Sequence, residues 1–191
     1  MSVVGFVVAG GRSSRMGRDK ALLPWEGTDL LGHALARLAA VTVDVRILCG
    51  PEPRYLDRGV PAIIDVVPDA GPLGGVLTGL EAAAPRGGLF LAVDLPLVPV
   101  PLVRRLVEES TGWDAVVPHS PRGREPLCAF YGPACLEPIR RCVALADFRM
   151  TAFWPGLRVR EITPREILPF GDPGTLFFNL NSRGDLPAAG G

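Results

Sequence analysis

The stretch from Val3 to Gly27, VVGFVVAGGRSSRMGRDKALLPWEG, decides how the rest of the chain is interpreted. Its apolar, β-branched beginning predicts a buried strand that stops at Gly10-Gly11. A loop carrying Arg12, Arg15, Arg18 and Lys20 follows. Glycine lets a ligand approach the backbone closely, and exposed N–H groups beside Arg and Lys form an anion site. The stretch therefore predicts a cradle for a nucleoside triphosphate.

This loop differs from the two common glycine-rich nucleotide loops. A Walker A loop needs Lys and then Ser or Thr directly after its last glycine, whereas Gly17 is followed by Arg18-Asp19-Lys20. A dinucleotide-binding loop needs G-x-G-x-x-G opening straight into a helix, which this stretch lacks. A solvated turn that happens to be basic stays open as an alternative.

Composition restricts the class of protein. The 191 residues fit a single domain, 1–191, with a frayed tail from about residue 187. Lys plus Arg equal Asp plus Glu, 20 against 20, so no global field favours nucleic acid or an anionic membrane. No run reaches the ~18 apolar residues of a membrane helix, and the first residues form no basic leader.

The four cysteines form no C-x-x-C pair. We therefore expect buried, reduced thiols rather than a shared metal site, as is typical of a cytoplasmic protein. They are Cys49, Cys128, Cys135 and Cys142.

Hydrophobic periodicity predicts alternating strands and helices up to about residue 118. The predicted strands after the first are 43–49, 62–65, 88–93 and 115–118, and the predicted helices are 30–40, 76–84 and 101–110. Thr28 or Asp29 is a candidate N-cap for the first helix. Such alternation is typical of a parallel sheet with right-handed crossovers.

In a parallel α/β sheet the ligand lies beyond the carboxyl ends of the strands. Gly10-Gly11, Asp65 and Asp94 each follow a predicted strand. We therefore expect them to converge on one site. Asp94 is the first candidate for a metal ligand, and a helix N-cap or a turn residue is its structural alternative.

The last third is less regular. It predicts strands at 127–131 and 157–162 and a helix at 136–144. Pro126 suits an edge strand or the start of a strand. The pair Asn179 and Asn181 suits either a site or a turn.

The motif AGGRSSRMGRDKALLP, followed by GPLG at 71–74, VDLP at 93–96 and NLNS at 179–182, resembles the MobA-like nucleotidyltransferases, above all the molybdenum cofactor guanylyltransferases. The resemblance runs from Val3 to Leu186. It implies a three-layer, Rossmann-like α/β fold whose central sheet is mostly parallel, with an antiparallel strand in the C-terminal part. The chain departs from the family where Ile47-Leu48-Cys49-Gly50 replaces a segment that often carries Asn.

The resemblance also implies residue roles. Arg15, Lys20 and Asp94 would be catalytic, and Asp94 and Asn181 would bind Mg²⁺. The nucleotide would be bound by Val8, Ala9, Gly10, Gly11, Lys20, Asp65, Gly71, Pro72, Leu73 and Asp94. The acceptor would be bound by Arg124, Pro126, Asn179 and Asn181.

The implied reaction transfers GMP from GTP to the phosphate of molybdenum-molybdopterin and releases pyrophosphate. AGG and GPLG favour guanine over the cytidylyltransferase alternative. A sugar-phosphate or phospholactate nucleotidyltransferase and a non-catalytic cofactor-delivery module stay open. Neither nucleic acid nor a membrane is an expected partner, whereas transient contact with molybdenum cofactor synthesis proteins or target apoenzymes is.

Overall fold

A central sheet of eight strands organises the computed structural model, which describes residues 3–10 and 19–180. A separate two-stranded hairpin precedes the first helix. In chain order the strands are β1 Val4–Val8, β2 Pro24–Trp25, β3 Thr28–Asp29, β4 Asp44–Leu48, β5 Ala62–Ile63, β6 Gly88–Ala92, β7 Ala115–Ser120, β8 Gly123–Arg124, β9 Cys128–Tyr131 and β10 Val159–Ile162.

The strands of the large sheet follow the order β10-β7-β9-β6-β1-β4-β5, with β8 paired to β7. Parallel pairs join β1 to β4 and β6, β4 to β5, and β7 to β10. Strand β9 runs antiparallel to both β6 and β7. The prediction of a mostly parallel sheet with an antiparallel strand in the C-terminal part is therefore confirmed.

Helices cover both faces of this sheet. They are α1 Leu30–Ala39, α2 Gly71–Ala83, α3 Val100–Glu108, α4 Leu136–Ala144, α5 Pro164–Ile167 and α6 Pro173–Leu176. One core cluster includes α1 and α3, and the other includes α2 and α4. The predicted three-layer α/β architecture is confirmed.

Close packing explains why β1 and β6 are so apolar. All five side-chain positions of each strand are buried, as expected for strands covered on both faces. The rings of Phe6 and Phe90 stack with centroids 5.1 Å apart. A Cβ on Gly79 of α2 would lie 2.6 Å from Phe90, so glycine lets the helix approach the sheet.

The start of α2 differs from the sequence-based prediction. The sequence predicts a helix that begins at Val76, but α2 already begins at Gly71. Pro72 suits the first turn because its missing N–H has no partner to lose there. Gly74 packs against Ala70 and the Val67 carbonyl, where a Cβ would be 2.8 and 3.2 Å away. The glycines here serve helix packing.

Two smaller expectations also need correction. Pro126 does not mark an edge strand, because the strand that follows it, β9, lies between β6 and β7. The alternative, a proline at the start of a strand, holds, because β9 begins two residues later at Cys128. All four cysteines are free, but only three are buried, and Cys142 is half-exposed. Within 3–10 and 19–180, no helix combines the length and the apolar character that crossing a membrane requires.

Candidate active site

A single row of residues crosses the carboxyl edge of the parallel strands. Val8 pairs with both Leu48 and Ala92, and Leu48 pairs with Ile63. The residues two positions beyond this register are Gly10, Gly50, Asp94 and Asp65. Gly10, Asp65 and Asp94 therefore lie along one edge of the sheet, as the sequence predicts, and their role in one ligand site stays a prediction. Gly11 lies outside the described residues.

Gly10 is needed for packing. A Cβ there would lie 2.6 Å from both the Cα and the N of Gly50, which are backbone atoms that cannot move aside. The N–H groups of Ala9 and Gly10 both donate to the Leu48 carbonyl at 3.0 Å, and the Val8 carbonyl accepts from Val93 at 3.1 Å. These groups are therefore bonded within the sheet. Residues 11–18, which make up most of the predicted anion cradle, lie outside the described residues.

Lys20 and Asp94 meet at this edge. The Lys20 Nζ donates to Asp94 Oδ2 at 2.8 Å, and the side chains are only 13% and 27% exposed. Lys20 begins a 3₁₀ turn, Lys20–Leu22, whose N-cap is Asp19. Asp94 is no N-cap, because α3 begins only at Val100, so that half of its structural alternative is wrong. The other half holds, because Asp94 lies in the turn that follows β6. The pair places a cation and a carboxylate where a ligand is expected.

Helix α1 holds the loop that follows Asp94. The buried Arg37 donates from Nη1 to the carbonyls of Leu95 and Val98, both at 2.7 Å. The His33 Nε2 lies 3.1 Å from the Pro96 carbonyl oxygen. Burial lowers the pKa of Arg37 to about 10. The pKa of His33 is also lowered, mainly by burial and to a smaller extent by the positive charge of Arg37. The first helix thus orients the loop that presents Asp94.

Asp65 carries an unusual carboxyl oxygen. Its Oδ1 is buried, and no residue in 3–10 or 19–180 donates a hydrogen bond to it. Burial raises the pKa of Asp65 above its ordinary value. Its N–H donates to the Gly50 carbonyl at 2.9 Å, which fixes the backbone. A buried acceptor without a donor is suited to receive one from a ligand.

A second group of side chains lies on the other side of Asp94. The Leu180 N–H donates to the Asp94 carbonyl at 3.0 Å, and the Ala92 N–H donates to the Leu127 carbonyl at 2.7 Å. These bonds bring segments 177–180 and 118–127 to the end of β6. Arg122 donates from Nη2 to the Phe177 carbonyl at 3.2 Å, and its guanidinium carbon lies 5.8 Å from the Phe178 ring centroid.

Glu125 completes this second group. Burial raises the pKa of Glu125, and the Asp94 charge acts in the same direction. A hydrogen bond from Ser120 and the charges of Arg122 and His119 oppose that shift. The Glu125 carboxyl therefore lies within electrostatic range of both Asp94 and Arg122.

The predicted acceptor residues occupy different positions. Arg124 is exposed, forms an ion pair with Glu161 on β10, and lies 5.2 Å from the Trp154 ring centroid. Pro126 accepts from the Tyr131 hydroxyl at 2.8 Å and lies next to Glu125. Asn179 precedes Leu180, whose N–H donates to the Asp94 carbonyl, so the Asn179 backbone lies close to Asp94 in space. Arg15 and Asn181 lie outside the described residues.

At the start of α2, the predicted nucleotide-binding residues could contact a nucleotide mainly through backbone atoms. The Leu73 side chain is fully buried in the core beneath α2, so it cannot contact a ligand at the sheet edge. Gly71 and Pro72 are exposed at the first turn. The Cα of Gly75 faces Asp65, and a Cβ added there would lie 3.8 Å from Asp65 Oδ1.

The donor set suits a hard cation held partly by substrate. No cluster of three or more His, Cys, Asp or Glu side chains that could hold a metal occurs in 3–10 and 19–180. Mg²⁺ is usually bound by one or two carboxylates together with substrate phosphates and water, rather than by a protein cage. Asp94 at the sheet edge fits that pattern.

Comparison with known proteins decides the family. The sequence model of the MobA-like NTP transferase domain matches residues 5–155, which is most of the chain. The chain belongs to this family. It is therefore a nucleotidyltransferase of the MobA-like type, on the Rossmann-like fold that its sequence predicts.

Relatives in this family match along nearly their whole length. The chain is 31% identical over 189 residues to a Pelotomaculum thermopropionicum protein described as "Probable molybdenum cofactor guanylyltransferase", covering 99% of this chain and 92% of the relative. It is 38% identical over 199 residues to the molybdenum cofactor guanylyltransferase of Cupriavidus taiwanensis, covering 97% and 95%. The crystal structure of molybdopterin-guanine dinucleotide biosynthesis protein A from Archaeoglobus fulgidus has the same fold, with a TM-score of 0.79, 20% identity and coverage of 96% and 94%.

Sequence reasoning missed several residues of this MobA-like site. Arg37 interrupts the apolar face of its helix and follows His33 by one turn, a pattern that could have indicated a buried contact. Glu125 lies between Arg124 and Pro126, which were predicted to bind the acceptor, but it received no role itself. Arg122 and Phe178 carry no local signal, because Arg122 meets this segment far along the chain, with its hydrogen-bond partner Phe177 55 residues away.

Proposed function

We propose that the chain transfers GMP from GTP to the phosphate of molybdenum-molybdopterin, forming the guanine dinucleotide cofactor and pyrophosphate. The observation that carries the proposal is the Lys20–Asp94 pair at the carboxyl edge of β6, at a 2.8 Å separation. The family relationship and the names of the long-matching relatives support the same reaction.

The chemistry asks the protein chiefly for alignment and charge stabilisation. An oxygen of the acceptor phosphate attacks the α-phosphorus of GTP. The new P–O bond forms as the bond from the α-phosphorus to the bridging oxygen breaks, and pyrophosphate leaves with that electron pair. Charge builds on the phosphoryl oxygens and the leaving group, where preorganised cations stabilise it.

The residues then take distinct positions. Lys20 would neutralise the triphosphate, and Arg15 would join it at the leaving pyrophosphate. The buried Oδ1 of Asp65, which receives no hydrogen bond from the residues that the structure describes, would accept one from the nucleoside. The backbone of Ala9 and Gly10 and the first turn of α2 would border the same nucleotide.

Mg²⁺ fits this site as a resident cation. Asp94 would hold it, with Asn181 and substrate phosphate oxygens as further donors. The bound ion would supply a Lewis acid for the phosphoryl oxygens. Lys20 keeps the Asp94 carboxylate oriented before substrate arrives, so the site is preorganised.

The acceptor would bind on the other side of Asp94. Segment 118–127 and residues 177–180 meet there, with Arg122 supplying positive charge and Phe178 an aromatic face. Arg122 is suited to the acceptor phosphate, because guanidinium groups bind phosphate oxygens in pairs. Pro126 and Asn179 border this region, whereas Arg124 would first have to leave Glu161.

The first experiment is calorimetric titration with GTP, CTP and ATP, with and without Mg²⁺. We expect GTP to bind at least tenfold more tightly than CTP, about 1.4 kcal/mol. Pyrophosphate release is then measured with molybdenum-molybdopterin as acceptor. A preference for CTP would contradict the guanylyl assignment and favour the cytidylyl product. Nucleotide binding without pyrophosphate release would favour a cofactor-delivery module.

A further inference from the structure

A network of contacts ties the Lys20 turn to the segment after β4. The Tyr55 hydroxyl donates to the Asp19 carboxylate, at 2.8 Å from Oδ2 and 3.0 Å from Oδ1. Arg54 donates from Nη1 to Asp19 Oδ2 at 3.4 Å and from Nη2 to the Cys49 carbonyl at 3.0 Å. Asp19 is thus held from the same end of the sheet that carries Gly50.

The position of Asp19 determines the conformation of the turn that begins at Lys20. Its Oδ1 accepts from the Ala21 N–H at 3.1 Å, and its carbonyl accepts from the Leu22 N–H at 3.1 Å. Together these bonds close the 3₁₀ turn that begins at Lys20. The direction in which the Lys20 side chain leaves the backbone therefore depends on where Asp19 is fixed.

The backbone of Tyr55 is itself unusual. Its φ is +63°, in the left-handed region that a bulky residue rarely adopts. Its side chain is only 8% exposed, and the Arg54 guanidinium carbon lies 5.3 Å from its ring centroid. Such a conformation persists only where surrounding contacts determine it, and it is typical of functional regions. Burial and the Asp19 carboxylate both raise the pKa of Tyr55, so the hydroxyl stays a donor.

We propose that Tyr55 is a positioning residue of the transferase: its hydroxyl fixes Asp19 and thereby sets the Lys20 ammonium against the Asp94 carboxylate. This inference rests on the proposed function of Lys20 and Asp94. Tyr55 touches neither substrate nor metal in this role. It acts through Asp19, the N-cap of the 3₁₀ turn, and through Lys20, whose ammonium group donates to Asp94.

The test begins with Tyr55→Phe, which removes only the hydroxyl. We expect kcat/KM for GTP to fall about tenfold, because small displacements of a positioned group are costly in rate. In a Lys20→Ala background the same substitution should cost about twofold or less, since the group to be positioned is gone. An equal loss in both backgrounds, or none in the wild-type background, would overturn the proposal.

A second variant covers a failure of Tyr55→Phe to fold. Asp19→Ser keeps an oxygen that can cap the turn but is one bond shorter, so it should no longer reach Tyr55. We expect the same rate loss as for Tyr55→Phe and no further loss in the double variant. Additive losses would contradict the proposed path through Asp19.

A readout without nucleotide separates this proposal from the proposed function. In the resting protein the NMR signal of the Lys20 ammonium, assigned by its loss in Lys20→Ala, should shift or broaden in Tyr55→Phe. The control is Tyr131→Phe, which removes the other tyrosine hydroxyl, also buried and bonded at 2.8 Å to Pro126. An unchanged signal in Tyr55→Phe would overturn the inference even if GMP transfer is demonstrated. A changed signal would support it even if the substrate proves different.

Discussion

The Nζ of Lys20 lies 2.8 Å from Oδ2 of Asp94, although 74 residues separate the two in the chain. Residues from the first loop and from the end of β6 therefore form one ionic unit. This ion pair lies at the carboxyl ends of the parallel strands. We therefore expect the transferase reaction to depend on it most.

Asp94→Ala should reduce kcat at least about 10²-fold, because it removes a preorganised electrostatic group at the reacting phosphate. GTP affinity should fall only modestly. Steady-state pyrophosphate release and calorimetry give the two quantities. Asp147→Ala serves as the control, since Asp147 pairs with the nearby Arg149 on the surface, away from the carboxyl edge of β6. Near-normal turnover in Asp94→Ala would contradict the metal assignment.

Asp65→Asn should weaken GTP binding by about tenfold, the loss expected for a charged acceptor. Since burial raises the pKa of Asp65 above its ordinary 3.8, wild-type affinity should fall as pH is lowered, at a higher pH than for an exposed Asp. The ionised form is the disfavoured form in the fold, so Asp65→Asn should also melt slightly higher at pH 7. Calorimetry across pH and thermal unfolding test both points. A pH-independent wild type would contradict the acceptor role.

Gly10→Ala should lower the free energy of unfolding by about 1–3 kcal/mol, because its Cβ meets Gly50 backbone at 2.6 Å. Gly75→Ala is the matched comparison within α2, where the nearest atom to an added Cβ is 3.8 Å away. It should be neutral or stabilising by up to about 1 kcal/mol, from helix propensity. Urea unfolding gives both values. Equal effects of the two substitutions would contradict the packing explanation of Gly10.

Arg37→Met should lower stability by about 2 kcal/mol, since the Leu95 and Val98 carbonyls lose a charged donor in a buried place. It should also reduce kcat, because the loop after Asp94 loses its support. Arg104→Met is the control: Arg104 donates to the Ala40 carbonyl in an exposed place, and its loss should cost under about 0.5 kcal/mol. A normal kcat in Arg37→Met would show that the loop keeps its position without the Arg37 hydrogen bonds.

Glu166 predicts a pH dependence of stability. The Arg160 guanidinium and the Thr163 backbone hold the pKa of Glu166 at about 2, below its ordinary 4.5. A depressed folded-state pKa stabilises the fold above the ordinary value, and that contribution is lost as pH falls from 4.5 towards 2. Glu166→Gln should therefore be less stable at pH 7 and lose less stability across this window. Chemical unfolding at several pH values measures the difference, and parallel curves would contradict it.

Local patterns in the sequence were sufficient to predict the frame of the fold and the edge where the site lies. Strands β1 and β6 are apolar runs, whereas β4 alternates polar and apolar residues in its first half. All three end shortly before a glycine or an aspartate, and their pairing follows from the β-α alternation. The start of α2 was missed because Gly-Pro and Gly-Gly usually mark loops, whereas here small residues let the helix approach the chain before it. The hairpin β2–β3 was missed because two-residue strands leave no periodicity.

The contacts that orient the site could not be predicted in this way. Tyr55 meets Asp19 across 36 residues, and Arg37 meets Leu95 across 58. Such contacts depend on how loops from different crossovers pack together, and no short-range pattern encodes that. Candidate functional residues such as Lys20 and Asp94 were therefore easier to predict than the residues that position them.

The antiparallel insertion of β9 between β6 and β7 also bears on protein engineering. Because β9 runs against its neighbours, the segment before it, 118–127, reaches the edge that carries Asp94, while the proposed nucleotide side is built from β1, β4, β5 and β6. The two halves of the proposed reaction are thus encoded in separate stretches of gene. Grafting 118–127 together with 177–180 from another transferase is a rational route to a new acceptor that leaves the choice of nucleotide intact.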